Sequence, residues 1–117
     1  MKKRLLIADD EANIRLLYKL AFEKEGYDVE LAEDGLECLK KVDSFKPDLV
    51  ILDIRMPSID GLETLNQILG KNNLIPVVIN SAYSSYKDNF MSWSADAYVI
   101  KSSDLTELKE KVKELIN

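Results

Sequence analysis

The fold is decided by the stretch Pro47-Asp48-Leu49-Val50-Ile51-Leu52-Asp53 near the middle of the chain. Its four consecutive apolar residues, 49–52, do not alternate with polar ones, and a run of this length after a proline predicts a strand buried on both faces. Asp53 closes the run at the carboxyl end of the strand, where open α/β sheets bind their ligands. Because burying a charge is costly, we expect other charged groups nearby to compensate the Asp53 carboxylate.

Strand-like and helix-like patterns alternate five times along the chain around this stretch. We predict strands at 4–8, 27–32, 49–53, 75–79 and 97–100. We predict helices at 12–24, 35–45 and 62–69, a short and less stable one within 84–94, and a last one from about 104. Alternating units of this kind imply a parallel sheet with right-handed crossovers and helices on both faces. The length of the chain favours a flavodoxin-like (βα)5 doubly wound parallel sheet with the strand order 2-1-3-4-5.

Apolar residues at helical spacing predict which faces of the first two helices are buried. The predicted buried residues are Ile14, Leu17, Tyr18, Ala21 and Phe22 in the first helix, and Leu36, Leu39 and Val42 in the second. The only cysteine, Cys38, falls in the second helical pattern, and we expect it to be buried and inert.

Composition and charge narrow the class of protein. An apolar fraction of 46% and a charged fraction of 32% are ordinary for a soluble globular protein, and we predict one domain over residues 1–117. The net charge of −5 and the pI of about 4.8 argue against nucleic-acid binding by this chain alone. No apolar stretch is long enough to span a bilayer, and Asp9 and Asp10 end the first apolar run too early for a signal peptide. We therefore expect no membrane partner and a cytoplasmic location.

The chain contains no histidine, which excludes several kinds of chemistry. Neither a Ser-His-Asp nor a Cys-His site can form within it, and it cannot itself carry a phosphohistidine. A bound metal would be held by oxygen atoms, which favours magnesium, calcium or manganese.

Polar side chains follow four of the predicted strands at the point where each strand ends. They are Asp9, Asp10 and Glu11 after the first strand, Asp53 after the third, Asn80 and Ser81 after the fourth, and Lys101 after the fifth. In the order 2-1-3-4-5 these four strands are neighbours, and the carboxyl ends of parallel strands meet at one edge of a sheet. The sequence therefore predicts that three aspartates, a hydroxyl and an ammonium group converge at that edge.

This set of groups suits phosphoryl transfer to a carboxylate. The three aspartates, Asp9, Asp10 and Asp53, would repel one another, and a hard divalent cation such as magnesium relieves the repulsion. Lys101 adds a second positive charge that can pair with Asp53 or with a phosphoryl oxygen, and the Ser81 hydroxyl can donate a hydrogen bond to such an oxygen. Asp53 would then be the nucleophile.

The chain resembles the receiver domain of bacterial two-component response regulators. The matching segments, in order and at the spacing of that family, are Ile7-Ala8-Asp9-Asp10-Glu11, Pro47 to Asp53, Met56-Pro57-Ser58-Ile59-Asp60-Gly61, Ser81-Ala82 and Lys101. The resemblance covers essentially the whole chain, and the stretch from Pro47 to Gly61 is highly specific.

The resemblance implies a role for each site residue. Asp53 would accept a phosphoryl group from a histidine kinase or a phosphotransfer protein, and the domain would later remove that group slowly by its own catalysis. Magnesium would be held by Asp10, Asp53 and the backbone carbonyl of Arg55, with Asp9 acting through water. Phosphoryl oxygens would be bound by Ser81 and Lys101, and Tyr98 would turn inward on activation. The signal would leave through the surface of the fourth helix, fifth strand and fifth helix, towards a downstream effector protein or a missing output domain.

One departure from the family pattern is Ser102, which follows Lys101 where the family usually has a proline with a cis peptide bond. A cis bond before a serine costs roughly 2.5–4 kcal/mol, so we expect this loop to be trans or differently shaped. A degenerate receiver that acts as a phosphorylation-independent interaction module is the alternative reading.

Two other classes of protein are alternatives to the receiver. A flavodoxin-like cofactor binder needs a phosphate-binding loop after the first strand, but Asp9-Asp10-Glu11 is anionic and lacks glycine. A hydrolase of the haloacid dehalogenase type places its nucleophile after the first strand and needs room for a cap over its substrate.

Overall fold

The computed structural model of the chain describes residues 2–72, 74–82 and 94–116. Over these residues the elements are β1 (Arg4–Ala8), α1 (Ala12–Lys24), β2 (Asp28–Ala32), α2 (Gly35–Phe45), β3 (Leu49–Leu52), α3 (Gly61–Lys71), β4 (Val77–Ser81), β5 (Ala97–Ile100) and α4 (Thr106–Ile116). The strands form one parallel sheet in the order β2-β1-β3-β4-β5, which confirms the predicted fold class and strand order. The helix predicted within 84–94 falls almost entirely at residues 83–93, outside the described residues.

β3 lies at the centre of the sheet and is buried on both faces, as its apolar run predicts. Its residues, Leu49 to Leu52, are at most 1% exposed. β1 pairs with it on one side and β4 on the other. The strand ends at Leu52 and not at Asp53, although the Asp53 N–H still donates to the carbonyl of Ala8 at 3.0 Å. Asp53 therefore begins the loop that leaves the sheet.

Successive strand residues pack into two separate apolar layers, because side chains in a strand alternate between the two faces of the sheet. The layer beneath α2 and α3 contains Leu6, Val50, Leu52, Val77, Ile79 and Tyr98. The layer beneath α1 and α4 contains Leu5, Ile7, Leu49, Ile51, Val78 and Val99, with Tyr18 and Phe22 from α1. Each layer buries one face of the sheet.

Two strand boundaries differ from the prediction. β4 runs Val77–Ser81 and not 75–79, because Pro76 has no N–H to give to the ladder and the register with β5 continues through Ser81 and Ile100. β2 begins at Asp28 and not at 27, because the Tyr27 N–H donates to the carbonyl of Phe22 in the turn after α1. Backbone pairing with β5 therefore includes the polar residues Asn80 and Ser81 in β4.

Aspartate side chains accept backbone hydrogen bonds at the starts of the last two helices. α3 begins at Gly61, one residue before its predicted start, and the Asp60 side chain accepts a hydrogen bond from the Glu63 N–H at 2.9 Å. α4 begins at Thr106, two residues after Asp104, whose side chain accepts from the Thr106 N–H at 3.0 Å. In the described part of the chain, no helix is long and apolar enough to cross a membrane.

The predicted helix faces are right for most residues and wrong for two leucines. Leu17 is 46% exposed and Leu36 is 51% exposed, although both were predicted to be buried. The large rings of Tyr18 and Phe22, four residues apart, occupy the space beneath α1 and turn Leu17 towards solvent. Cys38 is fully buried, as predicted.

Candidate functional site

The carboxyl ends of β1, β3, β4 and β5 bring the predicted site residues together. Asp9 is 2% exposed, Asp53 is 5% exposed and Ser81 is fully buried, whereas Asp10 is exposed. The three aspartates can each offer one carboxylate oxygen such that these atoms all lie within 4.8 Å of one another. The strand order thus produces the acidic cluster that the sequence predicts.

The Lys101 ammonium lies between the two buried aspartates. Its Nζ is 2.8 Å from Asp9 Oδ2 and 3.1 Å from Asp53 Oδ2, and Glu11 Oε1 is 3.9 Å away. Burial alone would lower the pKa of Lys101, but the hydrogen bonds and charges of Asp9 and Asp53 outweigh it and hold the pKa above its ordinary value. Lys101 is therefore a permanent cation in this site.

The backbone after Lys101 follows the expectation from Ser102. The described residues contain no cis peptide bond, so the Lys101–Ser102 peptide is trans. The Lys101 N–H donates to the carbonyl of Ser81 at 2.8 Å, which continues the β4–β5 ladder one residue beyond β5. The serine at this position does not move the ammonium away from Asp53.

The Asp53 carboxyl has a pKa above its ordinary value. Burial raises its pKa, the charge and hydrogen bond of Lys101 oppose the rise, and the nearby Asp9 charge adds to it. The backbone N–H of Arg55 also acts to lower the pKa of Asp53. A further positive charge beside this carboxylate would favour its ionised form.

The loop between β1 and α1 is shaped by the backbone and side chain of Asp9. Asp9 Oδ1 accepts a hydrogen bond from the Glu11 N–H at 2.9 Å, and the Asp9 carbonyl accepts from Arg15 Nη1 at 2.8 Å. The residue that caps α1 is Glu11, and its side chain makes no capping hydrogen bond. Neither Asp9 nor Asp10 is therefore the N-cap residue of α1. Asp10 lines a cleft beside the acidic cluster.

A cleft of about 550 Å³ opens beside the acidic cluster. It is lined by Asp10, Ile54, Arg55, Met56, Pro57, Asp60 and Leu62. Next to Asp60 and Leu62 of this lining, Gly61 lies directly against the backbone of Asp53 and Ile54. The cleft gives a ligand access to Asp10 and Arg55 from solvent.

Tyr98 lies in β5 close to Ser81 and is only 4% exposed. It is in register with Ile79, two residues before Ser81, and it belongs to the apolar layer beneath α2 and α3. The inward movement on activation that the resemblance implies for Tyr98 stays a prediction.

Sequence reasoning missed two residues that support the site. Arg15 was not singled out, although it lies one turn into α1, where a long side chain can reach back to Asp9. Tyr18 was assigned only to the core, but its hydroxyl accepts a hydrogen bond from Asn80 Nδ2 at 2.7 Å. The sequence signal for the contact between Tyr18 and Asn80 is Asn80 itself, because its amide follows three apolar residues in β4 and needs a hydrogen-bonding partner.

The sequence matches a known family and several characterised relatives. The family model described as the response regulator receiver domain matches residues 5–113. The chain is 35% identical to the alkaline phosphatase synthesis transcriptional regulatory protein PhoP of Bacillus subtilis, over 99% of this chain and 49% of that protein. It is 36% identical to the transcriptional regulatory protein TrcR of Mycobacterium tuberculosis, over 97% of this chain and 45% of that protein. The chain thus spans about half the length of these relatives.

Solved structures with the same fold include close relatives in sequence. The response regulator TrrA of Thermotoga maritima, in complex with Mg²⁺-BeF, is 50% identical with a TM-score of 0.91, over 97% of this chain and 98% of that one. A chain in the complex of the histidine kinase ThkA with TrrA is 50% identical with a TM-score of 0.90, over 98% and 99% of the two chains. A response regulator receiver domain from Methanospirillum hungatei is 31% identical with a TM-score of 0.92, over 99% and 94%.

Proposed function

Because the chain belongs to the response regulator receiver domain family, we propose that Asp53 accepts a phosphoryl group from the phosphohistidine of a histidine kinase or phosphotransfer protein. Residues 1–117 would act as one such receiver domain. One observation carries the proposal: the Asp53 carboxylate, 5% exposed, lies 3.1 Å from Lys101 Nζ and within the cluster of Asp9 and Asp10.

The acidic cluster fits magnesium. Hard divalent cations prefer oxygen ligands, and magnesium keeps several waters and shares its site with phosphate groups. Asp10, Asp53 and the backbone carbonyl of Arg55 would hold the ion, and Asp9 would act through a bound water. Arg55 lines the same cleft as Asp10, which supports this assignment. When bound, magnesium offsets negative charge on the transferred phosphoryl group.

Asp53 would supply the nucleophile. One carboxylate oxygen attacks the phosphorus of the phosphohistidine, the P–N bond breaks, and its electron pair leaves with the imidazole nitrogen. The other ring nitrogen of the donor histidine carries a proton in this step, so an acyl phosphate on Asp53 and a neutral imidazole on the donor remain. Burial raises the pKa of Asp53, and the Lys101 ammonium acts in the opposite direction, which favours the ionised carboxylate that the attack needs.

Lys101 and Ser81 would bind the oxygens of the arriving phosphoryl group. Lys101 Nζ is already in contact with Asp53 Oδ2, so the phosphoryl oxygens arrive beside it and make a charge-assisted hydrogen bond. Ser81 sits at the end of β4, the strand next to β3, and its hydroxyl would donate to a second oxygen. Both groups stabilise negative charge without giving up a proton.

The signal would leave the site through β5. Side chains alternate along β4, so Ser81 faces the same side of the sheet as Ile79, whose register partner is Tyr98. A shift of Ser81 towards the phosphoryl group would change the packing around Tyr98. The switching surface would comprise the predicted fourth helix, which lies outside the described residues, together with β5 and α4.

The partners follow from the relatives. TrrA has been solved in complex with a histidine kinase, and we propose that a kinase of this class phosphorylates the present chain. The relatives PhoP and TrcR are named as transcriptional regulatory proteins, which act where bacterial DNA is, so we propose a cytoplasmic location. The receiver would pass its signal to a downstream effector protein or to an output domain outside these residues.

The first test of this proposal is the intact mass of the protein after incubation with magnesium and acetyl phosphate. We expect one phosphoryl adduct in the wild type and none in Asp53→Asn. Asp48→Asn is the matched control, because Asp48 is an exposed aspartate just before β3, away from the acidic cluster, and this variant should still gain the adduct. An adduct in Asp53→Asn would show that a different residue is the acceptor.

The competing function is a receiver that works as an interaction module without phosphorylation. The feature that favours it is Ser102, which follows Lys101 where the family usually has a proline. If the folded wild type gains no adduct from acetyl phosphate or from a phosphorylated kinase, this function replaces the proposed one.

A further inference from the structure

A buried hydrogen bond links α1 to the carboxyl end of β4, next to the acidic cluster. Asn80 Nδ2 donates to Tyr18 Oη at 2.7 Å, and both residues are 2% exposed. A buried amide is costly unless it is hydrogen-bonded, so the two polar groups depend on each other. Neither side chain takes part in the phosphoryl transfer proposed above.

The end of β4 needs this support because the sheet holds it less firmly there. The register between β3 and β4 ends with Leu52 and Ile79. The register between β4 and β5 continues for two more residues, to Ser81 and Ile100. Asn80 and Ser81 thus extend beyond the part of β4 that pairs with β3. The Tyr18 hydroxyl, in the layer beneath α1 and α4, holds this end of β4 through its hydrogen bond with Asn80.

α1 also contacts the opposite half of the site. Arg15 lies three residues before Tyr18, on the same face of the helix, and its Nη1 donates to the carbonyl of Asp9 at 2.8 Å. The helix therefore contacts both the loop that carries Asp9 and Asp10 and the strand end that carries Ser81. Its position determines how far apart these two halves lie.

The Tyr18 hydroxyl stays neutral in this environment. Burial raises its pKa, the hydrogen bond from Asn80 acts against the rise, and the charges of Lys101, Asp9 and Asp53 reach it more weakly. A neutral hydroxyl close to the site can accept from Asn80 without adding another negative charge beside the acidic cluster.

We propose that Tyr18 and Asn80 are positioning residues, whose hydrogen bond holds the Ser81 hydroxyl at the correct distance from Asp53 for phosphoryl transfer. The inference rests on the proposed function. Because Asn80 and Ser81 are consecutive strand residues, their side chains point to opposite faces of the sheet. A hydrogen bond that fixes Asn80 on the α1 face therefore also fixes the direction of the Ser81 side chain on the other face. Magnesium binding uses Asp10 and Asp53, which this link does not contact.

The test measures phosphorylation by acetyl phosphate in Tyr18→Phe, Asn80→Leu and the double variant, together with the melting temperature of each. At saturating magnesium and acetyl phosphate, we expect each single variant to react about two- to tenfold more slowly, the factor given by one hydrogen bond of ordinary strength. The magnesium concentration at half-maximal rate should not change. The double variant should react as slowly as the single ones and no slower, since all three lose the same link.

Stability separates positioning from a purely structural role. Tyr18→Phe leaves the buried amide of Asn80 without its acceptor and should lower the melting temperature, whereas the double variant replaces both polar groups with apolar ones and should recover much of it. A positioning link predicts that the rate stays low while stability recovers. If the rate recovers with stability, or if the single variants react at the wild-type rate, the inference is wrong.

The control is Tyr27→Phe, the same substitution in the same apolar layer but at the far end of the sheet. It should leave the rate unchanged, and an equal loss there would contradict the inference. The wild type serves as the reference for the proposed function: if it gains no phosphoryl group, the proposed function fails, whereas normal phosphorylation of all variants overturns only the positioning role.

Discussion

At the residue scale, Gly61 shows how tightly α3 packs against the loop that follows β3. A Cβ at Gly61 would overlap the backbone of Asp53 and Ile54, whereas a Cβ at Gly70, in the same helix, would meet nothing within 4 Å. The absence of a side chain at Gly61 therefore lets α3 begin directly beside the backbone of Asp53.

We expect opposite effects from alanine at these two glycines. Gly61→Ala should lower the free energy of unfolding by about 1–3 kcal/mol, as overpacking does, and should slow phosphorylation by displacing Asp53. Gly70→Ala should raise it by about 0.4–1 kcal/mol, because alanine restricts the unfolded chain and favours helix. Urea unfolding of both variants checks this, and equal stabilities would contradict the packing at Gly61.

Cys38 provides a second prediction for a single residue. Burial raises the pKa of its thiol from 9.0 to about 12. The folded protein thus binds this proton more tightly than the unfolded chain, so stability is lost as the pH rises through that window and is unaffected below it. In mildly alkaline buffer we expect iodoacetamide to alkylate the native protein about 1,000-fold or more slowly than the urea-unfolded protein. Comparable rates would mean that the thiol is accessible in the fold.

At the scale of elements, α1 carries an apolar surface beside the acidic cluster. Leu16 is 58% exposed, Leu17 is 46% exposed and Leu20 is 57% exposed. The helix starts at Ala12, directly after the acidic loop, so these leucines lie within two to three turns of the site. An exposed apolar patch so close to the acidic cluster would suit the docking of a kinase that brings its phosphohistidine to Asp53, the acceptor proposed above.

A charge introduced on this patch should slow phosphorylation by a histidine kinase but not phosphorylation by acetyl phosphate. We expect Leu16→Glu to slow phosphotransfer by about tenfold or more from a histidine kinase that phosphorylates the wild type, such as ThkA, because a buried interface residue is lost. Phosphorylation by acetyl phosphate should be unchanged, since that donor needs no docking surface. Leu74→Glu, at an 85% exposed leucine just before β4, is the matched control and should affect neither donor. A loss with both donors would mean that the substitution damages the site itself.

At the scale of the whole molecule, the acidic cluster should lower the free energy of unfolding when no metal ion is bound. The three aspartates lie close together, and the burial of Asp53 disfavours its ionised form, as its raised pKa indicates. Lys101 compensates only part of this cost. Binding of a divalent cation should therefore stabilise the folded protein, because the unfolded chain has no such cluster.

We expect Asp53→Asn to raise the melting temperature without magnesium by about 2–6 °C, the shift that roughly 1 kcal/mol produces in a domain of this size. Adding magnesium should then stabilise the wild type more than the variant, because the variant loses one ligand. Thermal unfolding of both proteins with and without magnesium checks this. Equal shifts on adding the ion would show that Asp53 is not a ligand.

Much of this molecule could be predicted from local patterns. The apolar run before Asp53 predicted the central strand, and polar residues at four strand ends predicted where the site lies, because parallel strands bring their carboxyl ends to one edge. The limits of β4 were predicted wrongly, since the polarity of Asn80 and Ser81 hid a pairing with β5 that continues through them. The exposure of Leu17 was also missed, because helical spacing does not show which residues fill the space beneath a helix.

The sequence by itself determined the layered fold, the strand order and the membership of the acidic site, because these depend on periodicity and on the order of elements along the chain. Only the tertiary structure decided that Lys101 bridges Asp9 and Asp53, and that Asn80 reaches Tyr18. Each of these contacts joins residues far apart in the chain, and its geometry depends on how the layers pack to within an ångström. No local pattern contains that distance.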